Sequence, residues 1–120
     1  MPLGQPHIWH LHGHGTLAAN MVALYKMPFG ATLIQVDATA TTAAVGTVII
    51  GTIADDNGYL TAFTFGASGA WTTATRGEFT GALMTDTAEC PHFAKDDVIQ
   101  ITVAHNSMIN PDLYLTFLED

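Results

Sequence analysis

The sequence predicts an all-β fold: a single-domain β-sandwich, in jelly-roll form, of about eight antiparallel strands. Three observations predict it. Period-two runs rich in β-branched and aromatic residues recur along the chain. Gly, Asn, Asp and Pro separate these runs every ~8–12 residues, the rhythm of a sandwich or barrel. No long window carries apolar residues at the i, i+3, i+4 spacing of a helix. A length of 120 residues suits one domain. So many strands in one small sheet would leave exposed edges, which two packed sheets protect.

The elements follow in order. Met1 to Pro6 is read as an extended N-terminal arm, and residues 7–120 as the sandwich. His7 to His14 puts Trp9, Leu11 and Gly13 on one face and Ile8, His10, His12 and His14 on the other. Asn20 to Met27 is stopped by Pro28, which cannot donate to a ladder. Ala31 to Ala40 puts Ile34, Val36, Ala38 and Ala40 inward, with Gln35, Asp37 and Thr39 outward. Val45 to Ile53, rich in β-branched aliphatics, is read as a central strand. Asp55-Asp56-Asn57-Gly58 then signals a hairpin, because Asn and Gly tolerate positive φ. Tyr59 to Phe65 follows, with Tyr59, Thr61, Phe63 and Phe65 sharing a face. Ala70 to Ala74 is a short strand, Arg76 to Met84 fits a strand or a helical turn, and Pro91 to Asp97 is a loop. Val98 to Ala104 turns Ile99, Ile101 and Val103 inward. After a loop from Asn106 to Pro111, Asp112 to Leu118 turns Leu113, Leu115 and Phe117 inward.

Charged residues make up 12% of the chain, about half the usual ~25%. Such a surface suits a protein packed against neighbours, since interface cores are depleted in Lys, Glu and Asp; a Thr-rich β surface explains the composition as well. The net charge is −8, with Lys26, Lys95 and Arg76 as the fixed cations. No basic cluster is present to bind phosphates, so nucleic acid and anionic membrane surfaces are not expected partners. Cys90 is the single cysteine, so no intrachain disulfide is possible. Met1 to Gln5 lacks a basic region followed by an apolar run, and no stretch approaches ~18 apolar residues, so neither a signal peptide nor a spanning helix is expected.

The sharpest local feature is His10-Leu11-His12-Gly13-His14. In a strand its three imidazoles share a face at steps of about 7 Å. Adjacent pairs can ligate one Zn²⁺, so His10, His12 and His14 are the candidate metal ligands. The favoured reading is nevertheless a polar strand face or a subunit contact, because all three imidazoles rarely reach one ion from a straight strand; the metal site is the lesser reading. In a symmetric trimer, one His from each copy would converge on the axis. The Glu of a cupin-type site and the Asp of a His-x-His-x-Asp-His site are both missing here. Asp55-Asp56-Asn57-Gly58 lacks the distal Glu of a calcium loop. Ser68 and Ser107 lie outside any nucleophile elbow. Cys90 and His92 lack an identifiable orienting partner, and a buried inert thiol is the favoured reading. No catalytic residue and no cofactor is expected. Trp9, Trp71, Tyr25, Tyr59 and Tyr114 are read mostly as core, with Trp71 the best exposed contact residue.

One stretch reads N-M-V-A-L-Y-K-M-P-F-G-A-T-L-I-Q-V-D-A-T-A from Asn20 to Ala40. Together with Gly51 to Leu60, Phe79 to Leu83, Pro91 to Asp97 and Leu115 to Glu119, it resembles small β-sandwich virion proteins of tailed bacteriophages. The resemblance implies a jelly-roll-like fold and a place on the particle as a capsid decoration or cement protein, often trimeric. It supplies no catalytic residues, and the His-rich run departs from it. The resulting expectation is a non-enzymatic virion protein on the capsid surface, made in the host cytoplasm, with the major capsid protein lattice as partner. The rivals are a tail or fibre module that binds host glycans or proteins, and a small cupin-like metalloenzyme using His10, His12 and His92 or His105.

Overall fold

The structure is a computed structural model that describes residues 4–43, 46–84, 89–104 and 107–120. Met1 to Leu3 of the expected arm, Val45 of the expected fourth strand, and His105 lie outside the described residues. Among the described residues there are nine strands and no helix. The strands are β1 (Pro6–His12), β2 (Met21–Lys26), β3 (Ala31–Thr42), β4 (Thr47–Gly51) and β5 (Leu60–Thr64). They continue with β6 (Thr72–Ala74), β7 (His92–Phe93), β8 (Val98–Val103) and β9 (Ile109–Glu119).

One sheet has the order β1-β9-β3-β6, with β7 also on β3; the other has the order β2-β8-β4-β5. Every pairing is antiparallel. The pairs β1–β9, β2–β8, β3–β6 and β4–β5 nest from the chain ends inward. The chain is thus one long double ribbon wound into two sheets, which is the jelly roll expected from the sequence. The pairing of β1 with β9 extends into the segment read as an arm: Gly4 N–H donates to Glu119 O at 2.8 Å, and Glu119 N–H to Gln5 O at 3.0 Å.

The core lies between the sheets, where the alternation of Ile99, Ile101 and Val103 in β8 meets that of Leu113, Leu115 and Phe117 in β9. An aromatic chain crosses it. Tyr25 meets Trp9 at 5.1 Å, Trp9 meets Phe117 at 4.6 Å, Phe117 meets Phe93 at 6.4 Å, and Phe93 meets Tyr59 at 5.0 Å between ring centroids. Tilted and edge-on pairs of this kind add to area burial.

Two bulges correct the expected facing. In β3 the register on β9 shifts between Leu33 and Gln35. Ile34 is the extra residue, so Leu33 and Ala31 point inward with Val36, and Ile34 does not join the buried core. In the β4–β5 ladder Val48 faces Phe63 while Ile50 faces Leu60. The extra residue on β5 turns Leu60 inward and leaves Thr61 exposed.

The Asp55 to Gly58 turn also differs from expectation. It joins two paired strands, but neither Asn57 nor Gly58 has positive φ. The loop closes instead through Asp55 O, which accepts from Thr52 N–H at 2.8 Å and Gly58 N–H at 3.1 Å. Glycine is needed at 58 and 81 for close approach. A Cβ on Gly81 would clash with the backbone of Asn57 and Gly58, and one on Gly58 would run into Leu83. The 75–84 segment is neither strand nor helix. It docks on this loop by Gly81 N–H to Tyr59 O at 3.1 Å and Leu83 N–H to Gly58 O at 2.8 Å, and plugs Phe79 into the core.

At the far end of the chain β9 starts earlier than expected and includes Pro111, paired with Ala40. Its carbonyl accepts from Gly13 N–H at 2.8 Å. β1 has ended at His12, so the missing proline donor costs one ladder bond at a strand end. The segment read as the Pro91 to Asp97 loop contains β7, which satisfies the edge of β3 at Ala31 and Thr32.

Candidate functional site

The outward face of the β1-β9-β3-β6 sheet carries the His-rich run. Inward Trp9 and Leu11 fix the phase of β1, so Ile8, His10 and His12 point to solvent. On β9, inward Leu113 and Leu115 fix the phase in the same way and turn Asp112 and Tyr114 outward. His12 lies directly across from Asp112, and His10 across from Tyr114. The two imidazoles converge on one carboxylate oxygen. His10 Nε2 is 2.6 Å and His12 Nδ1 is 2.7 Å from Asp112 Oδ1. An ionised carboxylate only accepts, so both nitrogens carry the proton in this arrangement. Burial pushes the Asp112 carboxyl upward, but the hydrogen bonds and charges of His10 and His12 outweigh it and hold the group below its ordinary value. Tyr114 stacks on His10, with ring centroids 4.5 Å apart and planes 16° apart, so packing orients the imidazole.

The other histidines stand apart from this pair. His14 is exposed, with its ring 6.2 Å from that of His12, and does not join the cluster. His92 sits opposite Thr32 at the other end of β3, whereas Asp112 sits opposite Thr39. Seven residues of strand put these positions roughly 23 Å apart. His92 Nε2 meets both carboxylate oxygens of Asp120 at 2.9 Å. Sequence reasoning missed Asp112. Its outward phase was readable from Leu113, Leu115 and Phe117, but its place beside His12 depends on the first strand pairing with the last.

Cys90 and His92 line a hollow of about 460 Å³ together with Arg76 and Asp120. Burial pushes the Cys90 thiol up, against the opposing pull of the Arg76 guanidinium. The thiol faces Ile34 O at 4.0 Å. A nucleophilic cysteine needs the opposite shift, toward thiolate.

The two outward faces differ in chemistry. Beside the His–Asp cluster stand Tyr114, Asp37, Thr39 and Thr116, and exposed Trp71 lies 5.4 Å from Tyr114 between ring centroids. On the other sheet, Val22, Thr102 and Ile49 form one straight row across β2, β8 and β4. Leu24 and Gln100 form the next row, and Lys26 and Val98 the one after. Val22 is 56% and Leu24 54% exposed.

No family model matches the chain, and no curated protein matches it. Among solved structures it is similar to a chain of the cyanophage Pam1 capsid asymmetric unit, at 16% sequence identity and a TM-score of 0.44, over 98% of this chain and 87% of that chain.

Proposed function

We propose that this chain is a structural protein of a bacteriophage virion: a capsid decoration protein that binds the major capsid protein lattice as a symmetric trimer and reinforces the shell without turnover. The outward face of β2-β8-β4 carries this reading. An antiparallel sheet that faces water normally alternates polar residues outward. Here Val22, Leu24, Ile49 and Val98 take outward positions, with Thr102 and Gln100 between them and Lys26 as the one charge on β2. Lys26 is itself paired with Asp96 at 3.7 Å. Fully burying one such aliphatic side chain contributes about 1.5–3 kcal/mol. Covering several half-exposed ones yields a few kcal/mol per copy, and a fixed array multiplies that through effective concentration. A three-fold oligomer suits three-fold lattice positions. The low charge and the resemblance carried by the segments from Asn20 onward support the same reading, with the chain on the outer surface of the capsid after synthesis in the host cytoplasm.

The row Trp71, Tyr114 and His10 favours a second reading, a tail or fibre module that stacks host glycans on an exposed aromatic platform. One experiment separates the two. Particles stripped of the protein are mixed with purified chain, sedimented, imaged and heated. Wild-type chain is expected to attach to heads and restore heat resistance. Val22→Asp/Leu24→Asp is expected to stay folded and bind at least about tenfold more weakly, a loss of ~1.4 kcal/mol or more. Trp71→Ala is expected to bind as wild type. Attachment to tails that fails in Trp71→Ala establishes the second reading, and attachment to heads that ignores Val22 and Leu24 refutes the role given to that face.

A further inference from the structure

We propose that His10, His12 and Asp112 form a binding site for a zinc-type divalent metal ion on the outward face of the β1-β9 pair. The three ligand atoms, one from each side chain, lie within 4.8 Å of one another. They come from two strands held in register over seven residue pairs, from Pro6↔Leu118 to His12↔Asp112, so the backbone beneath them is fixed. The nitrogen–oxygen distances of 2.6 and 2.7 Å are those of hydrogen bonds. A tetrahedral ion with ligands at ~2.0–2.1 Å spaces its donors about 3.3 Å apart. Opening each distance by roughly 0.6 Å is a small side-chain adjustment, well inside rotamer freedom for groups about 45% and 42% exposed at His10 and His12.

The protonation requirement is also simple. Each nitrogen that now donates to Asp112 must present a lone pair to the ion. A neutral imidazole meets it by exchanging tautomers: the proton of His10 moves from Nε2 to Nδ1, and that of His12 from Nδ1 to Nε2. Asp112 stays ionised throughout and supplies the negative ligand. Two imidazoles and one carboxylate match zinc and its neighbours in the first transition row rather than Ca²⁺ or Mg²⁺, which take oxygen donors. Three protein ligands leave a position open to water, the arrangement of an open rather than a closed structural site. Tyr114, stacked on His10, holds one ligand ring in place before the ion arrives.

The test uses the full chain, freed of metal with EDTA and titrated with zinc chloride by calorimetry. One zinc ion per chain is expected, with an affinity of order micromolar or tighter. His10→Ala, His12→Ala and Asp112→Asn are each expected to weaken binding at least about tenfold, the scale seen even when groups that only support ligands are removed. His14→Ala and His92→Ala are expected to bind as the parent does, and magnesium chloride is expected to give no saturable heat. Nitrogen-15 imidazole spectra of the unmutated chain provide a readout that needs no variant to fold: the His10 and His12 signals should move on adding zinc while those of His14 and His92 stay. Absence of saturable zinc binding, an equal loss in His14→Ala, or imidazole shifts centred on His14 or His92 would each overturn the assignment.

Discussion

Phe79 tests whether a segment without strands is part of the sandwich. It is fully buried, yet it sits in the 75–84 stretch, which has neither helix nor strand. Backbone bonds from Gly81 and Leu83 tie this stretch to the β4–β5 loop, and Thr75 N–H donates to Glu78 Oε2 at 3.1 Å just before the buried ring. Phe79→Ala removes the ring and leaves a cavity that the surrounding strands cannot close, because their ladders fix their positions. A Phe→Ala change in a core costs about 3–5 kcal/mol. With an unfolding entropy of ~2.1 cal/mol/K per residue, that converts to a fall in Tm of roughly 12–20 °C for a chain of this length. Circular dichroism melts and urea titrations measure both quantities. A loss below about 1 kcal/mol with an unchanged m-value would show that the segment is a surface appendage, and would refute the claim that it closes the core.

Two further predictions concern single side chains. The Cys90 thiol is favoured in its neutral form by burial, so native chain should react with iodoacetamide more slowly than urea-unfolded chain at the same pH. Because its folded value is raised, Cys90 contributes stability that is complete below the unfolded thiol's pKa and is lost as pH rises through the raised folded value; faster alkylation of the native chain would contradict the raised value. Asn110 has φ of 48° and clamps the Gly15 turn: its Oδ1 accepts from Gly15 N–H at 2.6 Å, and its own N–H donates to Gly15 O at 3.0 Å. Asn110→Ala loses two side-chain hydrogen bonds, the one from Gly15 N–H and a longer one to Thr41 Oγ1 at 3.4 Å, and adds left-handed strain, so urea titration should show a loss of about 1.5–3 kcal/mol, with Asn110→Gly losing less; equal losses would show that strain plays no part.

Inward-facing residues of the regular strands were legible, and the chemistry of the outward faces was only half legible. Ile99, Ile101 and Val103 stand at every second residue of β8 and are fully buried, so period two alone places them, although Thr102 between the last two is buried as well. Ala31 to Ala40 alternates as well, but a bulge at Ile34 reverses the phase for Leu33, and an inserted residue has no signature in hydropathy. Leu60 escaped for the same reason. The Asn57-Gly58 pair pointed correctly to a connection between paired strands. The turn it forms is set by Leu83 and Gly81, which pack against it from elsewhere in the chain and leave no room for a side chain. His10 and His12 were singled out by their spacing, whereas Asp112 lies a hundred residues from His12 and joins it only through the pairing of β1 with β9.

That pairing has a consequence for how the two outward faces relate. The His–Asp cluster depends on the outermost pair of the nested ribbon, and the Val22–Thr102–Ile49 row on the pairs next to it, in the opposite sheet. Packed sheets stand about 10 Å apart, and each sheet turns its outward side chains away from the other. No side chain of one face can reach the other, and the aliphatic rows of Val22, Leu24, Ile49 and Val98 carry no charge that would respond to an ion on the β1-β9 face. The proposed attachment through Val22 and Leu24 and the proposed ion binding at His10, His12 and Asp112 are therefore expected to be separable, because they lie on opposite sheets. In the proposed assembly, coupling between them would run between neighbouring copies and not through the fold of a single chain.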